Sequence, residues 1–201
     1  DDFAIIGTGK QAVTQVASVA AVRKLKRIRV FSPTEANRQA FATRLKKLFD
    51  GTAIEESTSA EAAVRDASIV TVVTRSRSPI ITSAMLAKGA HFNAVGAITP
   101  EREEFTQDVF DRVGAIAVDS LDSVQHLSAE FRKRFSNDWS AVKPLSSLIG
   151  SASDSVADGG VRSANTDLTL FKAMGMGLSD LALGLEILKR VRAKGGGRKI
   201  P

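Results

Sequence analysis

A glycine-rich turn close to the start of the chain constrains the fold more than any other feature. Residues 3–6 form a short apolar run, typical of a buried strand, and this run stops at Gly7. From Ala12 to Leu25, apolar residues recur at helical spacing. The sequence therefore predicts a strand, a tight turn and a helix in immediate succession.

The turn has the pattern G-x-G-x-x-A, which is one form of the dinucleotide-binding fingerprint. Gly7 would permit the tight turn, Gly9 the close approach of a pyrophosphate, and Ala12 the close packing of the helix on the strand. The free N–H groups at the start of that helix would supply the anion site. An ordinary glycine turn is the alternative, and the strand before the turn and the helix after it favour the fingerprint. We expect the pyrophosphate to be bound by Gly7, Thr8, Gly9, Lys10, Gln11 and Ala12.

Strand-like and helix-like segments continue to alternate along the chain. The sequence predicts further strands near residues 29–31, 53–54, 69–74, 90–95, 115–118 and 168–171. It predicts further helices or helical turns at residues 37–49, 60–65, 84–86, 106–110, 120–135 and 178–194. Such alternation is typical of an α/β fold of the Rossmann type, in which helices cover both faces of a doubly wound, mainly parallel sheet.

The composition divides the chain into four regions. Residues 150–166 are rich in Ser, Ala, Asp and Gly and contain almost no large apolar residue, which indicates a surface loop. We expect an NAD(P)-binding Rossmann domain at residues 1–150, a surface loop at 151–166, a final strand and long helix at 167–194, and a basic tail at 195–201.

The end of the second strand bears on cofactor preference. An NAD-preferring site usually carries an Asp or Glu about 20 residues beyond the fingerprint, where this chain has Ser32-Pro33-Thr34. A carboxylate there would repel a 2′-phosphate, so its absence removes a barrier to NADP. Ser32, Thr34 and Arg38 could bind that phosphate, although Arg38 could instead be a solvated helix residue. We expect NADP or NAD as cofactor, with a weak preference for NADP.

Two later strand ends are further candidates for cofactor contact. Ligands of open parallel sheets bind at the carboxyl ends of the strands. Thr74-Arg75-Ser76 and Val95-Gly96-Ala97 occupy such ends, so we expect Thr74, Ser76, Val95 and Gly96 to contact the cofactor. Ordinary turns at the ends of strands remain the alternative for both segments.

The titratable residues give no catalytic or metal site. The chain has no cysteine, which excludes disulfides and thiolate chemistry. His91 begins a strand and His126 lies on a polar helix without an evident acidic partner at fixed spacing, so each is interpreted as structural. Glu101, Glu103 and Glu104 flank an arginine near a proline, which favours a solvated turn over a metal cluster. We expect no metal and assign no catalytic residue.

Charge and hydropathy restrict the partners. The net charge is +6, but six cations and no acid lie in the last thirteen residues, so the rest of the chain carries as many acids as cations. A solvated helix end is favoured there over a nucleic-acid-binding arm. No apolar run approaches the roughly 20 residues that cross a bilayer. We expect a cytoplasmic protein that binds neither nucleic acid nor membrane. The start on two aspartates, without a methionine, leads us to expect either a fragment or a processed form of a longer protein.

Four segments carry a more specific pattern. They are Ile5-Ile6-Gly7-Thr8-Gly9-Lys10-Gln11-Ala12; Asn93-Ala94-Val95-Gly96-Ala97 with Pro100 and Glu104-Phe105; Val118-Asp119-Ser120; and Thr169-Leu170-Phe171-Lys172-Ala173-Met174-Gly175-Met176-Gly177 with Asp180. The last is the most specific, because its spacing of Thr, Phe, Lys, Gly and Asp is not a general Rossmann feature. In this order the segments resemble the ornithine cyclodeaminase and mu-crystallin family of NAD(P)-binding proteins, over almost the whole chain.

The resemblance implies an organisation beyond the Rossmann domain. In that family a substrate and dimerisation domain precedes the first Rossmann strand and supplies the basic residues that hold the substrate carboxylate. The long last helix returns to pack on that domain, which would account for residues 178–194. The resemblance also implies that Gly96, Met174 and Gly175 line the nicotinamide end. We therefore expect a homodimeric parent protein, and this chain by itself is expected to be inactive.

One departure from the family pattern bears on the reaction. Ornithine cyclodeaminases place a catalytic aspartate where this chain has Ala97, and a methyl group cannot transfer a proton. The chain also has Glu103 where an arginine is often found. The resemblance therefore favours the members that reduce imines or oxidise amino acids, including alanine dehydrogenases and ketimine reductases. The expected function is hydride transfer between nicotinamide and a small amino or imino acid. A non-catalytic dinucleotide- and small-ligand-binding protein of the mu-crystallin type is the alternative, and a nucleic-acid binder is less favoured.

Overall fold

The structure is a computed structural model that describes residues 2–150, 162 and 165–198. The strands are β1 Asp2–Ile6, β2 Arg27–Phe31, β3 Ala53–Glu56, β4 Ile69–Val72, β5 His91–Ala94, β6 Val113–Val118, β7 Val142–Pro144 and β8 Leu168–Lys172. The α-helices are α1 Ala12–Val22, α2 Glu35–Leu48, α3 Ala60–Val64, α4 Leu121–Leu127, α5 Ala129–Arg134, α6 Leu145–Gly150 and α7 Gly177–Ala193. Two 3₁₀ turns span Ser83–Met85 and Gln107–Arg112.

The eight strands form one sheet in the order β3-β2-β1-β4-β5-β8-β6-β7, and every pair of neighbours is parallel. From β1 the chain builds outward to β2 and β3, then crosses back to β4 on the other side of β1. Such a reversal creates a crevice at the carboxyl ends of the two central strands, where open α/β sheets bind ligands. The predicted Rossmann-type α/β fold is confirmed.

The core lies on both faces of the sheet because β1 is buried on both. Phe3 and Ile5 pack with residues of α1 and α2, whereas Ala4 and Ile6 join the cluster on the opposite face. This two-sided burial explains the unbroken apolar run at the start of the sequence. Burying each large apolar side chain contributes about 1.5–3 kcal/mol to the stability of the fold. The end of β1, and therefore the start of the turn that follows it, is held in place by this packing.

The cluster on the face opposite α1 is rich in aromatic rings. Phe105 contacts Phe92, Phe110 and Phe131 edge to face, with ring centroids 5.3, 5.3 and 6.5 Å away. Such contacts fix ring orientation as well as burying area. Phe105 directly follows Glu104 in the chain, so this packing also anchors the backbone at Glu104.

The segment 120–135, expected as one helix, is divided into α4 and α5 at Ser128. The Ser128 hydroxyl accepts a hydrogen bond from Phe131 N, at 3.5 Å, and so caps α5. Apolar spacing alone does not reveal such a break, because Ser is tolerated inside a helix but is favoured at its N-cap. β7 and α6 have only three and six residues and were not predicted from the sequence.

The division into regions is only partly described by the structure. Most of the expected loop at 151–166 lies outside the described residues. The final strand β8 and the long helix α7 occur where they were expected. Leu181, Leu185 and Leu188 of α7 are 59%, 59% and 44% exposed, and none of that helix's residues is buried. No helix in the described part of the chain combines the length and the apolar character needed to span a bilayer.

Candidate functional site

The glycine turn after β1 leaves open space where a ligand could approach. Gly7 has a φ of +111°, and a Cβ there would overlap the carbonyl oxygen of Val73, so only glycine fits. At Gly9, by contrast, no atom lies within 4 Å of the position that a Cβ would take. The backbone at Gly9 is therefore free of protein contacts on that side.

The start of α1 has the electrostatic character of an anion site. Its N-cap residue, Gln11, makes no side-chain capping bond, and the first turn holds no acidic residue. Ala12 N donates to Gly9 O at 3.0 Å and Ala12 is fully buried, which is the close packing expected of that position. The helix dipole and the N–H groups of the first turn thus face the space beside Gly9 without a competing carboxylate.

Arg38 lies at the end of β2, next to the residues with which it was grouped. Its Nη1 donates to the carbonyl oxygens of Ser32, at 2.6 Å, and Pro33, at 3.3 Å. Its guanidinium lies 5.9 Å from the centroid of the Phe31 ring. Ser32 is buried, and Thr34 is exposed as the N-cap of α2 without a side-chain capping bond. The structure therefore brings a cation to this strand end.

The loops after β4 and β5 are joined by a buried carboxylate. Glu104 Oε1 accepts from Thr74 N at 2.8 Å and from Thr74 Oγ1 at 3.0 Å. Glu104 Oε2 accepts from Gly96 N at 2.8 Å and from Ala97 N at 3.1 Å. Glu104 is fully buried, so its expected place in a solvated turn is wrong. The charged residues around Glu104 in the sequence indicated a surface turn, although its own side chain is buried.

Two further charged residues complete this buried cluster. Glu130 Oε1 accepts from Glu104 N at 3.0 Å, and Glu130 Oε2 accepts from Ser128 Oγ at 2.8 Å. Lys172 Nζ donates to Ala97 O at 2.6 Å and lies 3.9 Å from Glu130 Oε2. Burial raises the pKa of Glu104 and lowers the pKa of Lys172. Their opposite charges partly offset the cost of removing both groups from water.

Asp119 organises the loop between β8 and α7. Both of its carboxylate oxygens accept from Met174 N, at 3.0 and 2.9 Å, and Oδ2 also accepts from Gly175 N at 2.7 Å. Gly175 has a φ of +85°, a conformation that favours glycine. Oδ1 accepts from Ser120 N at 2.7 Å. The carboxylate thus ties the end of β6 to the loop expected at the nicotinamide end.

The candidate residues fall into three groups. The turn at Gly7 packs against Val73 and Thr74, and Gly96 packs against Thr74, so these loops adjoin one another. Ser32, Thr34 and Arg38 form a second group at the end of β2, and Met174 and Gly175 a third beside Asp119.

The polar groups of Ser76 and Val95 are used within the protein. Ser76 Oγ donates to Ser78 O at 2.6 Å, and Val95 N donates to Val72 O at 2.8 Å. In this structure the two residues make local contacts that shape the loop and extend the strand. Their expected contact with the cofactor stays a prediction.

Sequence reasoning assigned no role to Glu104, Asp119, Glu130 or Lys172. Three of them, Glu104, Asp119 and Lys172, stood in the four characteristic segments, but those segments did not show which groups the side chains bind. A lysine ending an apolar strand is the clearest available signal, since an unpaired buried ammonium is costly.

The two histidines differ in their surroundings. His91 Nδ1 lies 2.7 Å from Thr169 Oγ1 and Nε2 lies 3.0 Å from Asn93 Oδ1, which agrees with a structural role. Burial lowers the pKa of His91. His126 Nδ1 lies 3.4 Å from Asp122 Oδ1, one helical turn earlier, so the expectation that it lacks an acidic partner is wrong. That pair is exposed and contributes little.

The described residues contain no group of three or more histidine and acidic side chains arranged to hold a metal ion.

Comparisons with known proteins agree on one family. The model of the "Ornithine cyclodeaminase/mu-crystallin family" matches residues 1–195. Δ1-pyrroline-2-carboxylate reductase from Bacillus cereus is 26% identical over 196 residues, which are 98% of this chain and 59% of that protein. Alanine dehydrogenase from Archaeoglobus fulgidus is 25% identical over 198 residues, with the same two coverages. This chain thus spans about 59% of the length of these relatives.

Solved structures share the fold. The Δ1-pyrroline-2-carboxylate reductase of Thermococcus litoralis, in complex with NADH and L-proline, superposes with a TM-score of 0.89 at 24% identity and covers 100% of this chain and 61% of that one. An archaeal alanine dehydrogenase dimer with bound NAD gives a TM-score of 0.86 at 22% identity, with 100% and 60% covered. At these identities the likeness establishes the fold.

Proposed function

The chain belongs to the ornithine cyclodeaminase/mu-crystallin family, and on that premise we propose that it is the NAD(P)-binding part of an oxidoreductase. The proposed reaction is hydride transfer between nicotinamide and a small amino or imino acid. One observation carries the proposal: apart from the adjacent residues of the turn, no atom lies within 4 Å of the Cβ position at Gly9, at the dipole-positive end of a helix.

The residues of that turn fit a pyrophosphate. A diphosphate needs N–H donors and close backbone approach, and the absence of a side chain at Gly9 permits both. No carboxylate in the first turn of α1 opposes the negative charge. Gly7 and Ala12 act on the protein side, where they hold the turn against β4 and the helix against the sheet. Thr8, Lys10 and Gln11, the other residues of the turn, would complete the contacts to the pyrophosphate.

The end of β2 supports a weak preference for NADP over NAD. A 2′-phosphate needs a cation and hydroxyl donors, and Arg38 stands beside Ser32 and Thr34. Ser32-Pro33-Thr34 itself contains no carboxylate, and Glu35 follows it in the first turn of α2. Arg38 is half-buried and oriented by two carbonyl oxygens. A guanidinium held in this way loses less side-chain entropy when it binds a phosphate.

The other half of the cofactor is assigned to the loops after β5 and β8. Gly96, Met174 and Gly175 would line the nicotinamide ring, which supplies or accepts the hydride when bound. Glu104 and Asp119 hold these loops by hydrogen bonds to backbone N–H groups. The protein's part is thus to orient the ring and to exclude water from it. Ala97 offers no group that could transfer a proton, which supports imine reduction or amino-acid oxidation over cyclodeamination.

The substrate and the assembly are proposed from the family. Names of relatives such as pyrroline-2-carboxylate reductase and alanine dehydrogenase support a small amino or imino acid as substrate. The resemblance assigns the grip on the substrate carboxylate to a separate domain, so this chain tested alone should bind cofactor without turnover. We propose a homodimer for the whole protein, since one similar structure is described as a dimer. A cytoplasmic location without a nucleic-acid ligand is also proposed, because charge is balanced outside the basic tail.

The test is calorimetric titration of the chain with NADH, NADPH and ADP-ribose. We expect all three to bind, and Gly9→Val to abolish binding of all three, because a branched side chain would fill the pyrophosphate space. Gly184→Val is the matched control, since Gly184 lies on α7 with no atom within 4 Å of its Cβ position; it should bind normally.

Normal affinity in Gly9→Val, or no binding by the unmodified chain at millimolar ligand, would refute the assignment. If cofactor binds but the whole protein turns over no amino or imino acid, the alternative of a non-catalytic binding protein is supported.

A further inference from the structure

We propose that Glu104 is a positioning residue for the nicotinamide half of the cofactor. Its buried carboxylate fixes the relative placement of the loops after β4 and β5, and none of the hydrogen bonds described for it reaches the residues assigned to the adenosine end. This inference rests on the proposed function, since it concerns the geometry of the same cofactor site.

The two oxygens of Glu104 divide their bonds between the two loops. Oε1 takes both of its bonds from Thr74, through the amide and the hydroxyl, whereas Oε2 takes its bonds from Gly96 N and Ala97 N. One rigid planar group therefore sets the distance between the loops. Neither loop can move away from the other without leaving an N–H donor unpaired in a buried place, which costs about 1–3 kcal/mol.

Hydrogen bonds to the backbone of Glu104 fix the position from which its carboxylate extends. Glu104 N donates to Glu130 Oε1 at 3.0 Å, and Glu104 O accepts from Ile80 N and Ile81 N, both at 3.0 Å. Ser128 in turn donates to the Glu130 carboxylate. The position of Glu104 is thus determined by two separate segments, as preorganisation requires of a group that orients others.

The loop after β5 is held from a second side by Lys172. Its ammonium donates to Ala97 O at 2.6 Å, while Glu104 binds the amide of the same residue at 3.1 Å. Both polar groups of the Ala97 backbone are therefore fixed by buried charged side chains. The clamp acts on the backbone alone, so it orients this loop whatever side chain stands at the position.

A carboxylate is required here for a specific reason. All four groups that point at Glu104 are donors, and an ionised carboxylate is an acceptor at both oxygens. A glutamine has nearly the same shape, but its NH₂ group would face the donors of one loop. Glu104→Gln should therefore release one loop while leaving the volume of the site unchanged.

Whichever loop is released, the placement of Gly96 relative to the loop after β4 changes. Gly96 lines the proposed nicotinamide end, whereas the adenosine end is built from Ser32, Thr34 and Arg38 at the end of β2. None of the hydrogen bonds that the structure describes for Glu104 involves that second group. The variant should therefore affect the two halves of the cofactor unequally.

The experiment compares dissociation constants for NADH and for ADP-ribose, which lacks the nicotinamide ring. We expect Glu104→Gln to weaken NADH binding by about tenfold, the effect of losing one hydrogen bond to a charged group. ADP-ribose affinity should stay within a factor of about two. Glu103→Gln is the matched control, because Glu103 is the preceding residue and pairs with the exposed Lys133; both affinities should stay the same.

A milder variant guards against failure of Glu104→Gln to fold. Thr74→Val keeps the amide that donates to Glu104 and removes the hydroxyl bond of 3.0 Å. It should weaken NADH binding in the same direction by a smaller factor, again with ADP-ribose spared.

Each other outcome overturns the inference. Equal losses for NADH and ADP-ribose would assign Glu104 a general structural role, and no loss for either would remove its role altogether. If the unmodified chain binds ADP-ribose as tightly as NADH, the nicotinamide half is not held by these loops, while the pyrophosphate site stands. If the unmodified chain binds neither ligand, the proposed function fails and this inference fails with it.

Discussion

Replacing Gly96 with alanine should lower the free energy of unfolding by several kcal/mol. The loop after β5 packs so closely on the loop after β4 that a Cβ at Gly96 would overlap Thr74 N, Thr74 O and Glu104 Oε1. Two of these three atoms belong to the backbone, so no side-chain rotation relieves the overlap. The loops must move apart.

The magnitude follows from two costs. Inserting a methyl group into a well-packed site costs about 1–3 kcal/mol. Separating the loops also breaks a bond to the Glu104 carboxylate, from Gly96 N or Thr74 N, each 2.8 Å long. A hydrogen bond to a charged group contributes about 1.5–3 kcal/mol. The expected loss is therefore roughly 2.5–6 kcal/mol, a large part of the about 5–15 kcal/mol that stabilises a typical domain.

Urea denaturation followed by tryptophan fluorescence measures this loss. Trp139 is the only tryptophan in the chain, and its ring centroid lies 5.8 Å from that of Phe135 at the edge of the core. Gly9→Ala is the control, because a Cβ at Gly9 meets no atom within 4 Å; its stability should stay within about 0.5 kcal/mol of the unmodified chain. A Gly96→Ala variant as stable as this control would show that the two loops are not in the contact described.

Two further predictions concern charge. Thr34→Asp should weaken NADPH binding relative to NADH binding by about 1–3 kcal/mol, because a carboxylate near the 2′-phosphate repels it but can accept bonds from the ribose hydroxyls. Thr34 is the exposed N-cap of α2, where Asp is well tolerated. The measurement is titration of Thr34→Asp with both cofactors, and Thr34→Asn, which adds no charge, is the control. Equal effects on NADPH and NADH binding would refute the prediction. The second prediction concerns His91. In the folded state, burial lowers the pKa of His91 below its ordinary value of 6.5. The contribution of His91 to stability is therefore complete above about pH 6.5, and it is lost as the pH falls below that value towards the folded pKa. Unfolding free energies between about pH 7.5 and 5 should fall by up to about 1.4 kcal/mol per pH unit and should fall less steeply in His91→Gln; parallel curves would contradict the argument.

The first strand, the glycine turn and the first helix were predictable because their signals are local. The apolar run of β1, the glycine turn and the helical spacing of α1 lie within about twenty consecutive residues, and together they favour one physical interpretation. Alternation of strands and helices then restricted the fold class. The family resemblance added the segments at Gly96 and Met174, which composition and periodicity left ambiguous.

The buried charges were not predictable, because their burial is decided by distant segments. Glu104 stands among charged neighbours and next to Phe105, so its own surroundings in the sequence indicate a surface turn. Its partners Thr74 and Glu130 are 30 and 26 residues away. Only the folded chain shows that these segments meet. The division of the helix at Ser128 has the same origin, since that residue caps α5 and also donates to Glu130.

The position of β8 determines when this domain can be completed during synthesis. β8 is the last strand in the chain, yet it lies inside the sheet, between β5 and β6. Until Leu168–Lys172 has left the ribosome, β5 and β6 have no shared neighbour and each presents an unpaired edge, the kind of surface on which nascent chains associate. Because Lys172 ends that same strand, the neutralising ammonium also arrives last, after both buried carboxylates have been made. A chain that is released before β8 is synthesised would therefore have a sheet interrupted between β5 and β6 and two buried carboxylates without Lys172. We expect chaperones and proteases to recognise such a chain.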